Sequence, residues 1–247
     1  MKHLAARVLL AGLGVIFAAH PAAAQLQNLP VYFSPKGGIG LTIAGDFGQA
    51  ARTRLDGINT TTKPTAFGGR VSLGLPMLTV GVGAATYDPK YITLNKEKQF
   101  MGNAALKVFG GPLVPVSVSV QAGVGYLKQV SGPFSTTTIS VPLGVGAAVN
   151  VPTPGVSLSP WAAARVQLNA VSSGDNSATQ TGYGLSGGVN LGLPLGFGLH
   201  AALDWSMFSR KTSGIVTLQK RETLVVGLGL HYTFKIPGLG VPIVPGI

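Results

Sequence analysis

The feature that most constrains this sequence is a strict alternation of apolar side chains with small or polar ones, which recurs in ten segments. Such a period of two residues is typical of a β-strand whose two faces lie in different surroundings. In the first segment Ile39, Leu41 and Ile43 alternate with Gly40 and Thr42. We predict strands at about 38–49, 66–75, 78–87, 100–109, 116–127, 139–150, 156–168, 181–191, 197–208 and 223–234.

The two faces of these strands differ in a way that indicates a membrane. The apolar face carries no charge, and Thr86 is its one polar member. The second face is mostly Gly, Ala and Ser, and only 10% of the chain is charged, against roughly 25% in soluble domains. A face so small and uncharged does not suit a solvated exterior. We therefore predict that the apolar face meets lipid and that the second face lines an interior, together with Asp46, Arg70, Lys107, Arg165, His200, Asp204 and His231.

Aromatic residues support the same assignment, because those of the apolar face lie near strand ends rather than mid-strand. Aromatic side chains collect at the two membrane–water interfaces of transmembrane barrels, where they form girdles. In the core of a soluble protein the large rings would sit in the middle. The predicted girdle residues are Phe47, Phe67, Phe100, Tyr126, Tyr183, Phe197, Trp205, Tyr232 and Phe234.

The connections alternate in length. Those at 50–65, 88–99, 128–138, 169–180 and 209–222 are long, and those at 76–77, 110–115, 151–155 and 192–196 are short and rich in Gly and Pro. Outer-membrane barrels have short periplasmic turns and longer outer loops. An open sheet edge would leave backbone groups unpaired in hydrocarbon, at a cost of several kcal/mol each. The sequence therefore predicts an all-β fold, a closed antiparallel up-and-down transmembrane β-barrel, most simply of ten strands.

The termini differ from the barrel in composition. Residues 1–24 combine Lys2 and Arg7, a short apolar stretch at 8–19 and small residues at 22–24, as in a signal peptide for export. A transmembrane helix would need more apolar residues to cross roughly 30 Å of hydrocarbon. We expect a periplasmic lead-in at 25–37, the barrel at 38–234, and a tail rich in Pro and Gly at 235–247. The chain has no Cys, which excludes disulfides and Cys-ligated metals.

The last predicted strand closes on a glycine followed by two aromatics at alternate positions, Gly229, Tyr232 and Phe234. With the export signal and the alternating strands, this end resembles the small outer-membrane β-barrel proteins of Gram-negative bacteria, of the OmpA/OmpX-like or porin-like type. The resemblance covers about residues 30–236 and concerns architecture. It implies location in the outer membrane and reading of this last strand by the barrel-assembly machinery. Such chains usually end on the final aromatic, whereas this one continues to Ile247.

Charged residues of the second face allow two interpretations. Asp46 and Arg70 lie on neighbouring predicted strands at similar height, and Arg165 and Asp204 are comparably placed. They form either a polar constriction that selects solutes or an ion-pair network that holds the wall together, because a charge in a narrow lumen needs a partner. Lys107 belongs to the same face.

His200 and His231 come opposite each other near the periplasmic end of the last two predicted strands. A metal site would need further ligands, and none is evident, so we interpret both side chains as lumen filling. We expect neither a metal nor a cofactor.

Basic residues outnumber acidic ones, 18 to 7, and concentrate in the predicted outer loops. Such a rim can attract phosphorylated lipopolysaccharide or concentrate anionic solutes, or it can simply be solvated loop surface. Nucleic acid is not a sensible partner at a cell surface. The candidate contacts to the anionic surface are Arg52, Arg54, Lys63, Lys96, Lys98, Arg210, Lys211, Lys220 and Arg221.

The sequence contains the string G-x-S-x-G at 184–188, but a nucleophile elbow needs a strand–turn–helix context, and here the string lies inside a strand. Adjacent Asp-Asp, Asp-His or His-x-Ser pairs, which mark known barrel enzymes, do not occur within the predicted wall.

Eight strands leave an interior just wide enough for side chains to fill it. Ten strands lined mainly with small residues predict an incompletely filled lumen. We expect a non-enzymatic barrel, either a small passive pore for solutes or a structural and surface-interaction protein. The alternative is a membrane-embedded enzyme that acts on lipid or surface peptide.

Overall fold

The computed structural model describes residues 29, 39–90, 96–110, 114–131, 134–174, 176–213 and 216–236. They form ten long strands: β1 (Gly40–Leu55), β2 (Thr65–Gly74), β3 (Leu78–Asp88), β4 (Glu97–Phe109), β5 (Val116–Ser131), β6 (Phe134–Val149), β7 (Val156–Ser173), β8 (Asn176–Gly192), β9 (Phe197–Phe208) and β10 (Arg221–Phe234). Short strands add Ile58–Asn59 to β1 and Val151–Thr153 to β7. Lys211–Ser213 pairs with Val216–Leu218 above the wall, and Pro194–Gly196 is a single 3₁₀ turn. In these residues no helix is long and apolar enough to cross a membrane.

Each strand pairs antiparallel with the next, and β1 also pairs with β10 from Leu41 opposite Phe234 to Leu55 opposite Arg221. The sheet therefore closes on itself and leaves none of the ten strands with a free edge. This confirms the predicted closed up-and-down barrel and removes the unpaired backbone groups that hydrocarbon would not tolerate.

The two faces are arranged as the alternation predicts. Outward side chains at mid-height of the wall are exposed: Val82 is 63% exposed and Leu228 is 58% exposed. The inward side chains of Asp46 and Asp204 are only 3% and 2% exposed. The nine predicted girdle aromatics lie on the outer face. At the end of the barrel where β1 begins and β10 ends, Tyr232 makes edge-on ring contacts at 4.7 Å to Phe197 and 4.5 Å to Phe234. The exterior is therefore an apolar belt bordered by rings.

Two of the predicted long outer loops are not loops. β5 and β6 continue as a hairpin to Ser131 and Phe134, and β7 and β8 continue to Ser173 and Asn176. The predicted strands were too short here because apolar alternation stops where the wall leaves the membrane and both faces meet water. Backbone pairing such as Gln129 with Thr136 continues beyond that point.

A β-bulge in β1 decides where two of the basic residues point. The register with β10 shifts between Ala50 and Arg52, so that Ala51 is the extra residue. Below the bulge, the even-numbered residues of β1 face inward. Above it, Thr53 and Leu55 face inward, and Arg52 and Arg54 face outward, where both reach Glu222. A bulge re-aims side chains in this way, and no alternation rule predicts it.

Glycines of the inner face lie opposite the largest inward side chains. A Cβ at Gly184 would lie 2.6 Å from the guanidinium carbon of Arg165, and one at Gly188 would lie 2.9 Å from the ring of Trp161. Both glycines are the register partners of those residues. The absence of a Cβ lets a neighbouring side chain lie flat against the backbone. Glycine therefore makes room for large groups, and the interior is more completely filled than the prediction of a small-residue lumen implied.

Candidate functional site

The more buried of the two inward Arg–Asp pairs belongs to a closed ring of three side chains on adjacent strands. Arg165 on β7 contacts Asp204 Oδ1 through Nη2 and donates to Ser186 Oγ through Nη1, both at 2.7 Å. Ser186 on β8 donates to Asp204 Oδ2 at 2.6 Å. Arg165 Nε also contacts Gln167 at 3.4 Å, and Gln167 donates to Asn169. Each oxygen of the Asp204 carboxylate thus has a donor, which a buried ion pair needs to offset its desolvation.

A second polar cluster joins β1, β2, β9 and β10. Arg70 Nε lies 3.0 Å from Asp46 Oδ2, and His200 Nε2 lies 2.6 Å from Asp46 Oδ1. His200 Nδ1 lies 3.2 Å from His231 Nδ1. With Asp46 accepting from Nε2 of His200, the tautomer that fits the second contact has Nδ1 of His200 as the acceptor and Nδ1 of His231 as the donor. The described residues contain no group of three or more His, Cys, Asp or Glu side chains that could hold a metal.

Glycines again shape this second cluster. The ring of His231 lies against Gly198 of β9, and the ring of His200 lies against Gly229 of β10. The sequence prediction placed the two histidines directly opposite each other. The register instead places each of them opposite a glycine, and the rings meet diagonally.

Lys107 also faces the interior, near the C-terminal end of β4, where it is half-buried. Within the described part of the chain it makes no ion pair. The five predicted lumen charges therefore separate into two ion-paired clusters and one isolated lysine.

A cavity of about 580 Å³ occupies the outer mouth of the barrel. Asp204 and Ser140 belong to its inner end, so the Arg165 ring lies beneath it. More than half of its lining residues carry amide or hydroxyl groups, and Arg221 also lines it. The guanidinium carbon of Arg221 lies 5.0 Å from the centre of the Phe208 ring. Phe208 is itself 2% exposed, so the cation rests on a buried ring.

The connections around this cavity are held together by Asp56. Its carboxylate accepts from Arg210 Nη2 at 2.9 Å and from the backbone N–H of Lys220 at 3.1 Å. Its own N–H donates to the carbonyl of Lys220 at 2.8 Å. The loop after β1 is therefore tied to the loop between β9 and β10, and we call this set of contacts the Asp56 latch.

The other predicted surface cations lie on the rim. Lys63, Lys96, Lys98, Lys211 and Lys220 are exposed. Asp88 at the outer end of β3 accepts from the Nζ of Lys90 at 2.8 Å and lies 3.6 Å from that of Lys96. The hydrogen bonds from Lys90 hold the pKa of Asp88 below its ordinary value. Arg221 requires a correction, because it points into the mouth cavity and cannot face the surrounding membrane.

Of the predicted assembly signal, Tyr232 and Phe234 project outward, and Gly229 lies inside beneath His200. Gly229 therefore has a packing reason to be glycine that is independent of any recognition.

The proposed signal peptide at 1–24 and most of the tail at 235–247 lie outside the described residues. Of the segment predicted as a periplasmic lead-in, 25–37, only Leu29 is described. It is 3% exposed and packs on the inward Ala66 and Ala85. Leu29 thus lies inside the barrel rather than below it.

No side chain is arranged as an enzyme nucleophile at the suspected elbow. Ser186 lies mid-strand and buried, and its proton is donated to Asp204. The contact between Asp46 and His200 was not predicted, because these residues are 154 positions apart and lie on β1 and β9, which are separated by β10. Strand parity and pairing order together would have found it. Both side chains are less than 5% exposed, which leaves no access for a substrate.

Comparison with known proteins found similarity to solved structures only. No protein-family model matches the sequence, and no curated protein is significantly similar to it. Among solved structures it is similar to the outer membrane protease OmpT from Escherichia coli (10% identity, TM-score 0.45, covering 79% of this chain and 97% of that one). It is also similar to the translocator domain of the autotransporter NalP from Neisseria meningitidis (16%, 0.45, 79% and 89%). A third is Ail, the attachment invasion locus protein of Yersinia pestis (13%, 0.35, 79% and 100%). These likenesses assign no activity, and the class of the protein, a ten-stranded transmembrane β-barrel, follows from its own strand pairing and apolar belt.

Proposed function

We propose that this protein is a non-enzymatic outer-membrane barrel whose lumen is closed to ion flow and whose outer mouth and hairpins form a surface for interaction with the exterior. The apolar belt, the girdles and the predicted export signal support the location. Of the two non-enzymatic alternatives, the interaction protein suits the geometry better than the passive pore.

The observation that carries this choice is the burial of the inward charges. Arg165 is 8% exposed and Asp204 is 2% exposed, although both project into the lumen. Side chains that line a water-filled channel are accessible to water, because the channel depends on their hydration. Here Arg165 and Asp204 bond to each other and to Ser186. Trp161 fills a neighbouring part of the interior, where it packs against Ala148 and Ala202.

Conductance in planar bilayers tests the proposal. The refolded protein is expected to give no steady current steps. The double variant Arg165→Ser/Asp204→Ser removes both charges and the volume of the guanidinium, and it is expected to give small steps. Steady steps from the parent protein would overturn the closed lumen. A silent bilayer combined with modified lipid A or cleaved surface peptide would favour the enzyme alternative instead.

The partner that we propose on the outer wall is phosphorylated lipopolysaccharide. Lys98 and Lys128 both point outward, each next to a girdle position, Phe100 and Tyr126. They flank the pair of Gln99 and Leu127, so the two lysines project from opposite positions on adjacent strands. Like charges in that arrangement repel each other unless an anion lies between them. By contrast, Arg52 and Arg54 share the carboxylate of Glu222, at 2.9 and 3.7 Å, which compensates one of their two charges.

A binding measurement at low salt separates these two pairs. Lys98→Gln/Lys128→Gln is expected to weaken lipopolysaccharide binding, and Arg52→Gln/Arg54→Gln is expected to weaken it less, because Glu222 already engages both arginines. Equal losses in the two double variants would show that only the total charge of the rim matters.

A further inference from the structure

We infer that the mouth cavity is a binding site for a small polyhydroxylated anion, a sugar-sized molecule that carries one carboxylate or phosphate group. The inference goes beyond the proposed function, and it holds whether or not the barrel conducts ions. It rests on the size of the cavity, the chemistry of its wall and one unneutralised cation.

The size suits a small solute. A volume of about 580 Å³ lies inside the usual range for ligand pockets, roughly 300–1,000 Å³. The Arg165 ring lies below it, and the Asp56 latch holds two of the loops above it. The cavity is thus bounded by paired groups that keep its shape without a ligand.

The wall offers neutral hydrogen-bonding groups at many heights. Seven of the ten strands contribute Gln, Asn, Ser or Thr side chains, among them Gln129, Thr136, Gln167, Asn169 and Thr223. Such groups can both donate and accept, as a sugar hydroxyl can. Gln167 already donates to Asn169, but the remaining hydrogen-bonding capacity of these groups would go unmet beside an apolar ligand, at a cost for each buried group. The composition of the wall therefore favours a ligand with several hydroxyls.

Of the charged side chains that line the cavity, one cation has no acidic partner among the described residues. Asp204 is neutralised by Arg165 at 2.7 Å, and Arg210 is neutralised by Asp56 at 2.9 Å. Arg221 forms no salt bridge within the described part of the chain. An unpaired guanidinium that faces a half-enclosed polar space attracts an anion, and its planar fork suits carboxylate and phosphate.

Arg221 is also held in place before any ligand arrives. Its guanidinium rests on the ring of Phe208, and that ring lies against Gly182 of the next strand. The residue directly across from Arg221 on the other side is Leu55, an inward side chain that the β1 bulge has brought to this face. A preoriented cation loses less freedom on binding, which favours affinity.

Calorimetric titration of the refolded full mature chain in detergent micelles tests the inference with three probes: glucuronate, glucose 6-phosphate and glucose. At least one of the two anions is expected to bind about tenfold or more tightly than glucose. Tighter binding of glucuronate would identify a carboxylate site, and tighter binding of glucose 6-phosphate a phosphate site. Equal affinity for glucose, or binding of neither anion, would overturn the inference.

Two variants and a salt series locate the site. Arg221→Gln is expected to lose about ten- to hundredfold in affinity for the anion. Arg54→Gln removes the same group from the outside of the same rim and is expected to bind like the parent. Unchanged binding by Arg221→Gln would refute the assignment. If that variant does not fold, the parent protein still decides the matter, because affinity for the anion must fall with added KCl while affinity for glucose does not.

Discussion

Substitution of a single inner-face glycine tests whether the interior is packed as described. In Gly184→Ala the new methyl carbon would lie 2.6 to 2.9 Å from three atoms of the Arg165 guanidinium. Ordinary contact needs about 3.4 Å or more. The guanidinium must therefore move, and its 2.7 Å bonds to Asp204 and Ser186 cannot follow it without distortion.

The size of the effect follows from what those bonds do. Disrupting one partner of a buried ion pair costs about 3–5 kcal/mol. Replacing Gly by Ala restricts the unfolded chain and returns about 0.4–1 kcal/mol. We expect Gly184→Ala to lower the free energy of unfolding by about 2–4 kcal/mol. Gly187→Ala on the same strand is the matched control, because its nearest neighbour is at 3.6 Å, and it is expected to be neutral or slightly stabilising.

The assay is urea unfolding of the protein in lipid vesicles, followed by the fluorescence of Trp161 and Trp205. A double-mutant cycle adds Gly184→Ala to an Arg165→Ser background, where no guanidinium remains to clash. There the cost of the alanine is expected to disappear. The reasoning is refuted if Gly184→Ala and Gly187→Ala are equally stable, or if the cost persists without Arg165.

Three further predictions concern the rim. Deletion of Ala51 removes the extra residue of the β1 bulge, so Arg52 follows the inward Ala50 directly and still faces outward; we therefore expect the folded band in unheated electrophoresis to be kept, and its loss would contradict the bulge assignment. Asp56→Ala opens the latch, and trypsin is expected to cut at Lys211 several times faster while the barrel core stays intact; an unchanged rate would show that the latch does not hold the loop. Glu222→Gln removes exposed ion pairs and should cost no more than about 1 kcal/mol in urea unfolding, so a larger loss would mean that these pairs act as a network.

Much of the barrel was predictable from the sequence. The alternation assigned Val82 to lipid and Asp46 to the interior, and the ends of most strands were predicted within a few residues. This information is local, because a strand that separates lipid from an interior must change polarity at every residue. The same rule failed above the membrane, at the β5–β6 hairpin, where both faces are polar and alternation carries no signal.

What the sequence determined by itself was which face each wall side chain occupies, since that depends only on position along one strand. Which side chains meet was decided by the tertiary structure. The register sets Arg165 beside Gly184 and within reach of Asp204 two strands away, and one extra residue at Ala51 turns two arginines outward. Register and bulges depend on pairing between distant parts of the chain, so the closed lumen and the cation of the mouth cavity emerged only when the ten strands were joined.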